Sequence, residues 1–115
     1  MREPARDKGR LENMAEAAAF VRQFTEGIEF ATFVEDPLRY FAILKNVEIF
    51  GEAAYMLTPE FKQKHPEIPW EQIIGMRHVL VHDYSTVMPE ILWHTATVEI
   101  PELLPLLDGL IQSME

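Results

Sequence analysis

Apolar positions recur at helical spacing along almost the whole chain, and no stretch alternates convincingly at period two. From about Arg10 to Glu26 the repeat passes through Leu11, Met14, Ala18, Val21 and Phe24 or Ile28, with Gly27 as its stop, which predicts an ordinary amphipathic helix. Asp36-Pro37 comes next, an accepting side chain at the N-cap and a ring pre-set for the first helical position. Together they open a helix that runs to about Leu57. Thr58-Pro59 caps a short helical turn through Lys64, and HPEIP forms a proline-bounded connector. A further helix starts near Trp70 and carries WEQIIGMRHVLVHDY. Val87-Met88-Pro89 ends that region, a helix runs from Glu90 to about Val98, and Pro101 opens a last one through Met114. That last helix has a core-facing stripe of Leu103, Leu106, Leu107, Leu110 and Met114. The expected class is all-α, an antiparallel helical bundle of four main helices plus short extra helices, joined by short loops.

The helix after Asp36 has too many apolar positions for one buried side. At 100° per residue, Leu38, Phe41, Ile43, Leu44, Val47, Ile49 and Phe50 cover most of the circumference. Only Lys45, Glu48 and Glu52 on one line, and Arg39 with Asn46 roughly opposite, interrupt them. With 115 residues the chain is read as a single domain spanning 1–115, so one apolar side faces the core and the other needs a partner. A second copy is the economical choice, and a homodimer is expected.

Composition removes several kinds of chemistry. There is no cysteine, which excludes disulfides, zinc–thiolate sites, iron–sulfur clusters and thiol nucleophiles. No apolar run reaches the ~18 residues of a spanning helix, and no signal-type stretch follows MREPARDKGR, so a soluble cytoplasmic protein without membrane association is expected. The net charge of −9 is unevenly spread. Arg2, Arg6, Lys8 and Arg10 crowd the start, while nothing after Arg77 is Lys or Arg and Asp83, Glu90, Glu99, Glu102, Asp108 and Glu115 fill the last third. Such a surface repels nucleic acid at long range, so specific or broad DNA binding is not expected and any phosphate chemistry needs a local site.

One such site is suggested on the Trp70 helix. Arg77 sits with Tyr84 on the face built from Trp70, Ile73, Ile74, Leu80 and Val81, and an arginine there is costly unless a carboxylate or a phosphate meets it. Glu48 or Glu52 can supply the carboxylate. His82 lies about 140° round from Arg77 on an ideal helix, so the two converge only through a bend near Asp83 or through the same motif of a second chain. His78 and His82 are spaced as a helical metal pair, but HExxH is absent and no third ligand is near in sequence, so no catalytic metal is expected. His65 and His94 are read as surface residues, and Asp7, Asp36 and Asp108 as cap or surface residues. There is no Gly-rich phosphate loop or G-x-S-x-G elbow.

The segments LKNVEIFGEAAYML, HPEIPWEQIIGMRHVLVHDY and LPLLDGLI together resemble the HepT-like toxins of the HEPN superfamily over most of the chain. Arg77, His82 and Tyr84 fit the family's Arg-x-x-x-x-His-x-Tyr motif, with His78 where many relatives have asparagine. The resemblance implies a HEPN-like helical dimer that cleaves RNA in a cleft at the dimer interface without a metal or other cofactor. It also implies an antitoxin partner, an MntA-like minimal nucleotidyltransferase that transfers AMP to the motif tyrosine. Carried over by position, Arg77 and His82 are catalytic and Tyr84 is the modified residue, with His78, Glu52 and Glu48 as supporting polar groups. Lys45 and the basic N-terminus are expected to add local positive charge. The alternative is a non-catalytic helical dimer that serves as the binding subunit of a nucleotidyltransferase.

Overall fold

The computed structural model describes residues 6–114, so Arg2 and Glu115, named above among the charges, lie outside it. Seven α-helices follow one another in this span: α1 (Asp7–Thr25), α2 (Phe30–Glu35), α3 (Pro37–Met56), α4 (Pro59–Lys64), α5 (Trp70–Asp83), α6 (Pro89–His94) and α7 (Ile100–Ser113). No strand occurs among the described residues, and the chain is an all-α bundle. None of these helices is long and apolar enough to cross a membrane.

The caps form where the residue types require them. Asp36 accepts the backbone N–H of Arg39 at 3.2 Å with Pro37 in the first turn, and Thr58 accepts the N–H of Phe61 at 3.2 Å ahead of Pro59. Gly27, at φ 74°, ends α1 in the left-handed region that only glycine enters freely.

Two pairs of helices can be oriented from their contacts. Asp7 at the start of α1 bonds Thr58 just beyond α3, and the Arg39 guanidinium at the start of α3 donates to the Phe24 carbonyl at 2.9 Å near the end of α1. These helices therefore run antiparallel. Phe41 near the start of α3 meets Tyr84 just past α5, while Glu52 near its end meets Arg77, so α3 and α5 are antiparallel too. The core lies between α1, α3 and the α6–α7 run, with Leu11, Met14, Val21, Phe33, Ile43, Phe50, Leu92 and Leu107 fully buried.

The structure departs from the expected elements in four places. α2 is a helix that no sequence signal announced; Phe30 and Phe33 hold it by packing on Trp93, with ring centroids 6.2 and 4.9 Å away. Glu90–Val98 and the helix from Pro101 are not two elements, because α6 continues into α7 through a π-helical stretch, Thr95–Glu99. Pro101 has no N–H and its ring crowds the carbonyl four residues back, and the wider π turn, in which Ile100 N–H reaches the Thr95 carbonyl, makes room for it. Thr95 and Thr97 hydroxyls also donate to the Ile91 and Trp93 carbonyls, at 3.0 and 2.7 Å.

The other two departures concern single side chains. Asp7 is neither a cap nor a surface residue: it is 4% exposed and accepts both the N–H (3.0 Å) and the hydroxyl (2.7 Å) of Thr58. A carboxylate buried at a helix start is sustained by those two donors and by the local dipole. His65 is half-buried rather than a surface residue, stacked 4.5 Å from Phe61 and 3.4 Å from Glu67, while its carbonyl accepts the Trp70 indole N–H at 2.9 Å.

Candidate functional site

The site is built where α3 crosses α5. Gly51, in the last third of α3, lets the two backbones approach until a Cβ added there would stand 2.4 Å from the Cβ of Arg77 and 3.0 Å from the Ile73 carbonyl oxygen. No larger residue fits this contact. The next residue of α3, Glu52, receives the Arg77 Nε–H at 2.6 Å, and one turn on, the Tyr55 ring lies 4.8 Å from the Arg77 guanidinium carbon. Arg77 is thus gripped on three sides by Gly51, Glu52 and Tyr55.

The carboxylate that meets Arg77 is Glu52. Glu48 bonds Lys45 instead, at 2.9 Å and one turn away on the same helix. Lys45 is therefore balanced locally, and the surplus positive charge expected from it beside Arg77 is not there. The ion pair holds the guanidinium by its Nε edge, and among the described residues the two terminal amino groups have no protein partner. Arg77, its side chain 19% exposed, lines a shallow groove together with Tyr55, Glu71, Ile74, Gly75, His78 and His82. A planar fork presented in this way matches two oxygens of a phosphate.

His82 lines the same groove without any bend in the helix. α5 runs unbroken through Asp83, whose backbone (φ −158°, ψ 59°) ends it one residue after His82. The chain turns only after His82, so the bend expected near Asp83 is absent, and Arg77 and His82 line one groove of a single chain without it. His78 and His82 are both exposed, with ring centroids 4.5 Å apart. Among the described residues no group of three or more His, Asp or Glu is placed to hold a metal ion.

Tyr84 does not continue the α5 face with Arg77, as its spacing suggested. It begins a single 3₁₀ turn, Tyr84–Thr86, with its ring edge-on to Phe41 at 6.0 Å. It is 51% exposed, against 38% for Tyr55, whereas Tyr40 is half-buried and desolvation pushes its hydroxyl above the ordinary phenol value. Of the three tyrosines, Tyr84 is the most exposed.

A partly apolar stripe runs along α3 away from the groove. Leu38, Phe41, Lys45, Glu48, Ile49, Glu52 and Tyr55 fall within about 120° on the wheel of α3. Leu38 at 84% exposure and Phe41 at 49% are the most open of its large apolar side chains; Tyr84, just past α5, meets Phe41, and Val81 is exposed on α5. Sequence reasoning missed Gly51, whose signal was a glycine kept in a helix interior where it otherwise costs stability. It also missed Tyr55, which stands one turn beyond Glu52.

Comparison with known proteins gives one family. The model described as "Ribonuclease HepT-like" matches residues 14–110. A candidate RNase of Caldanaerobacter subterraneus subsp. tengcongensis is 42% identical over 93 residues, covering 81% of this chain and 83% of its own. A candidate ribonuclease HepT of Thermococcus cleftensis is 41% identical over 96 residues, covering 84% and 87%. A candidate RNase of Methanocaldococcus jannaschii is 31% identical over 113 residues, covering 97% and 93%. No solved structure gives a significant match.

Proposed function

Because the chain belongs to the HepT-like ribonuclease family, we propose that it is a metal-independent endoribonuclease toxin in which Arg77 and His82 are catalytic. The observation that carries this reading is the grip on Arg77: Glu52 and Tyr55 fix the guanidinium beside a groove that Arg77 and His82 both line. RNA contains its own nucleophile. The 2′-oxygen attacks the adjacent phosphorus, the bond to the 5′-oxygen breaks, and a 2′,3′-cyclic phosphate and a 5′-hydroxyl result. The protein has to move protons and stabilise the crowded phosphate charge. An imidazole titrates near neutrality and serves either proton step, and Arg77 holds the phosphate oxygens as charge builds on them.

A second copy completes the arrangement. Each chain brings one His82, whereas the reaction has one proton to remove and one to deliver. A two-fold axis across the exposed α3–α5 face would bring two arginines and two histidines into one cleft and cover Leu38, Phe41 and Val81. Tyr84, at the edge of that face, is the acceptor of AMP from an MntA-like nucleotidyltransferase antitoxin. Its oxygen attacks the α-phosphorus of ATP, pyrophosphate leaves, and the added phosphodiester and base obstruct the groove by charge and bulk. The setting is cytoplasmic.

The competing reading, a non-catalytic dimer that serves as the binding subunit of a nucleotidyltransferase, draws on the charge. Lys45 is bonded to Glu48 and Arg77 to Glu52, so each of these two cations is balanced by a carboxylate, and the whole chain carries −9. Growth on induced expression separates the two. A ribonuclease toxin arrests growth, and His82→Ala lifts the arrest at equal protein level. An adaptor gives no arrest that depends on one exposed histidine.

A further inference from the structure

We propose that His78 and His82 form a two-imidazole chelate for a borderline divalent transition-metal ion, Zn²⁺, Ni²⁺ or Cu²⁺, and that its binding shuts off proton transfer at His82. The two residues stand one turn apart on α5, both are exposed, and their ring centroids are 4.5 Å apart with 54° between the planes. A metal–nitrogen bond of about 2.1 Å places a shared ion about 3.2 Å from each ring centroid, so two rings bound to one ion stand about 4.5 Å apart at a right angle, as around copper or nickel, and about 5.2 Å apart at the tetrahedral angle of zinc. The observed separation is the right-angle value, and zinc requires the two exposed rings to open by less than about 1 Å; α5 runs unbroken through both positions and keeps them one turn apart on one face.

The same geometry limits what the ion does. No third His, Asp or Glu among the described residues completes a cage, so water fills the remaining positions and the ion exchanges readily. Such a site regulates and does not build the fold. Imidazole selects copper, nickel and zinc, while Mg²⁺ keeps its oxygen ligands and is not held. A bound ion occupies the nitrogen lone pair of His82, and an imidazole coordinated there neither takes nor delivers a proton. The binding stands by itself; only the inhibition rests on the ribonuclease reading.

The test is a zinc titration of the full chain followed by imidazole NMR signals, beside RNA cleavage at the same zinc concentrations and after EDTA is added. The His78 and His82 signals are expected to move together while those of His65 and His94 stay, and His78→Asn is expected to weaken binding at least about tenfold by removing one arm of the chelate. Wild-type cleavage is expected to fall with the midpoint of binding and to return with EDTA. His78→Asn, measured against its own metal-free rate, is expected to need at least about tenfold more zinc. Equal shifts at His65 or His94, or binding unaffected by His78→Asn, would overturn the site. Binding at the pair with undiminished cleavage would overturn the inhibition. Absence of any metal-free cleavage would overturn the inhibition together with the ribonuclease reading, while the NMR signals still decide the site.

Discussion

Arg77→Ala lowers the rate of RNA cleavage by about 10²–10³-fold, the loss that follows removal of one preorganised group facing the charge of a transition state. Single-turnover cleavage at saturating protein is the measurement, because it separates the chemical step from weakened RNA binding. Arg77→Lys does not restore the rate. A lysine keeps the charge but lacks both the Nε–H that Glu52 holds at 2.6 Å and the flat surface that meets Tyr55 at 4.8 Å, so its ammonium is neither anchored nor forked. Rates for the lysine variant within threefold of wild type would show that positive charge alone suffices and that the grip on the guanidinium is incidental.

The second large effect comes from a residue with no functional group. Gly51→Ala raises intrinsic helix propensity by about 1 kcal/mol, and on that basis alone it would stabilise the protein. Its new Cβ, however, falls 2.4 Å from the Cβ of Arg77, an atom fixed to the backbone of α5 and unable to rotate away. The helices must separate, and the overpacking costs about 1–3 kcal/mol. The clash outweighs the propensity, so denaturant unfolding is expected at a lower midpoint. Cleavage falls further than the stability change accounts for, by about 10²-fold, because a displacement of roughly 1 Å moves Arg77 off the phosphate. A variant with wild-type midpoint and wild-type rate would mean that α3 and α5 are not in the close contact seen here.

How far the sequence alone reached can be judged from the same residues. The openings of α3 and α4 were legible because Asp36-Pro37 and Thr58-Pro59 act locally, each through one side chain and one ring. α2 was not legible, since its six residues are held by Trp93, far along the chain. The join between α6 and α7 was misread because a proline inside a helical pattern has two outcomes, a new start or a widened turn, and only tertiary packing chooses between them. For the site, an arginine on a half-apolar face already demanded a carboxylate or a phosphate, and Glu48 and Glu52 were the carboxylates within reach. Choosing Glu52 over Glu48 needed one more local observation, that Lys45 stands one turn before Glu48 and occupies it. Asp7 was hidden for the opposite reason: its partner, Thr58, is 51 residues away and no local pattern links them. The position of Tyr84 depended on where α5 stops, the least secure part of any helix boundary.

The central claim, that this chain cleaves RNA through Arg77 and His82 without a metal, is tested most directly by incubating purified protein with total RNA at low salt in excess EDTA beside the His82→Ala variant. His82 is exposed, so the variant is expected to unfold at the wild-type midpoint. Wild type should cleave, leaving 2′,3′-cyclic phosphate ends, and the variant should be slower by about 10²–10⁴-fold. Equal cleavage by both proteins, or none by wild type, would contradict the claim.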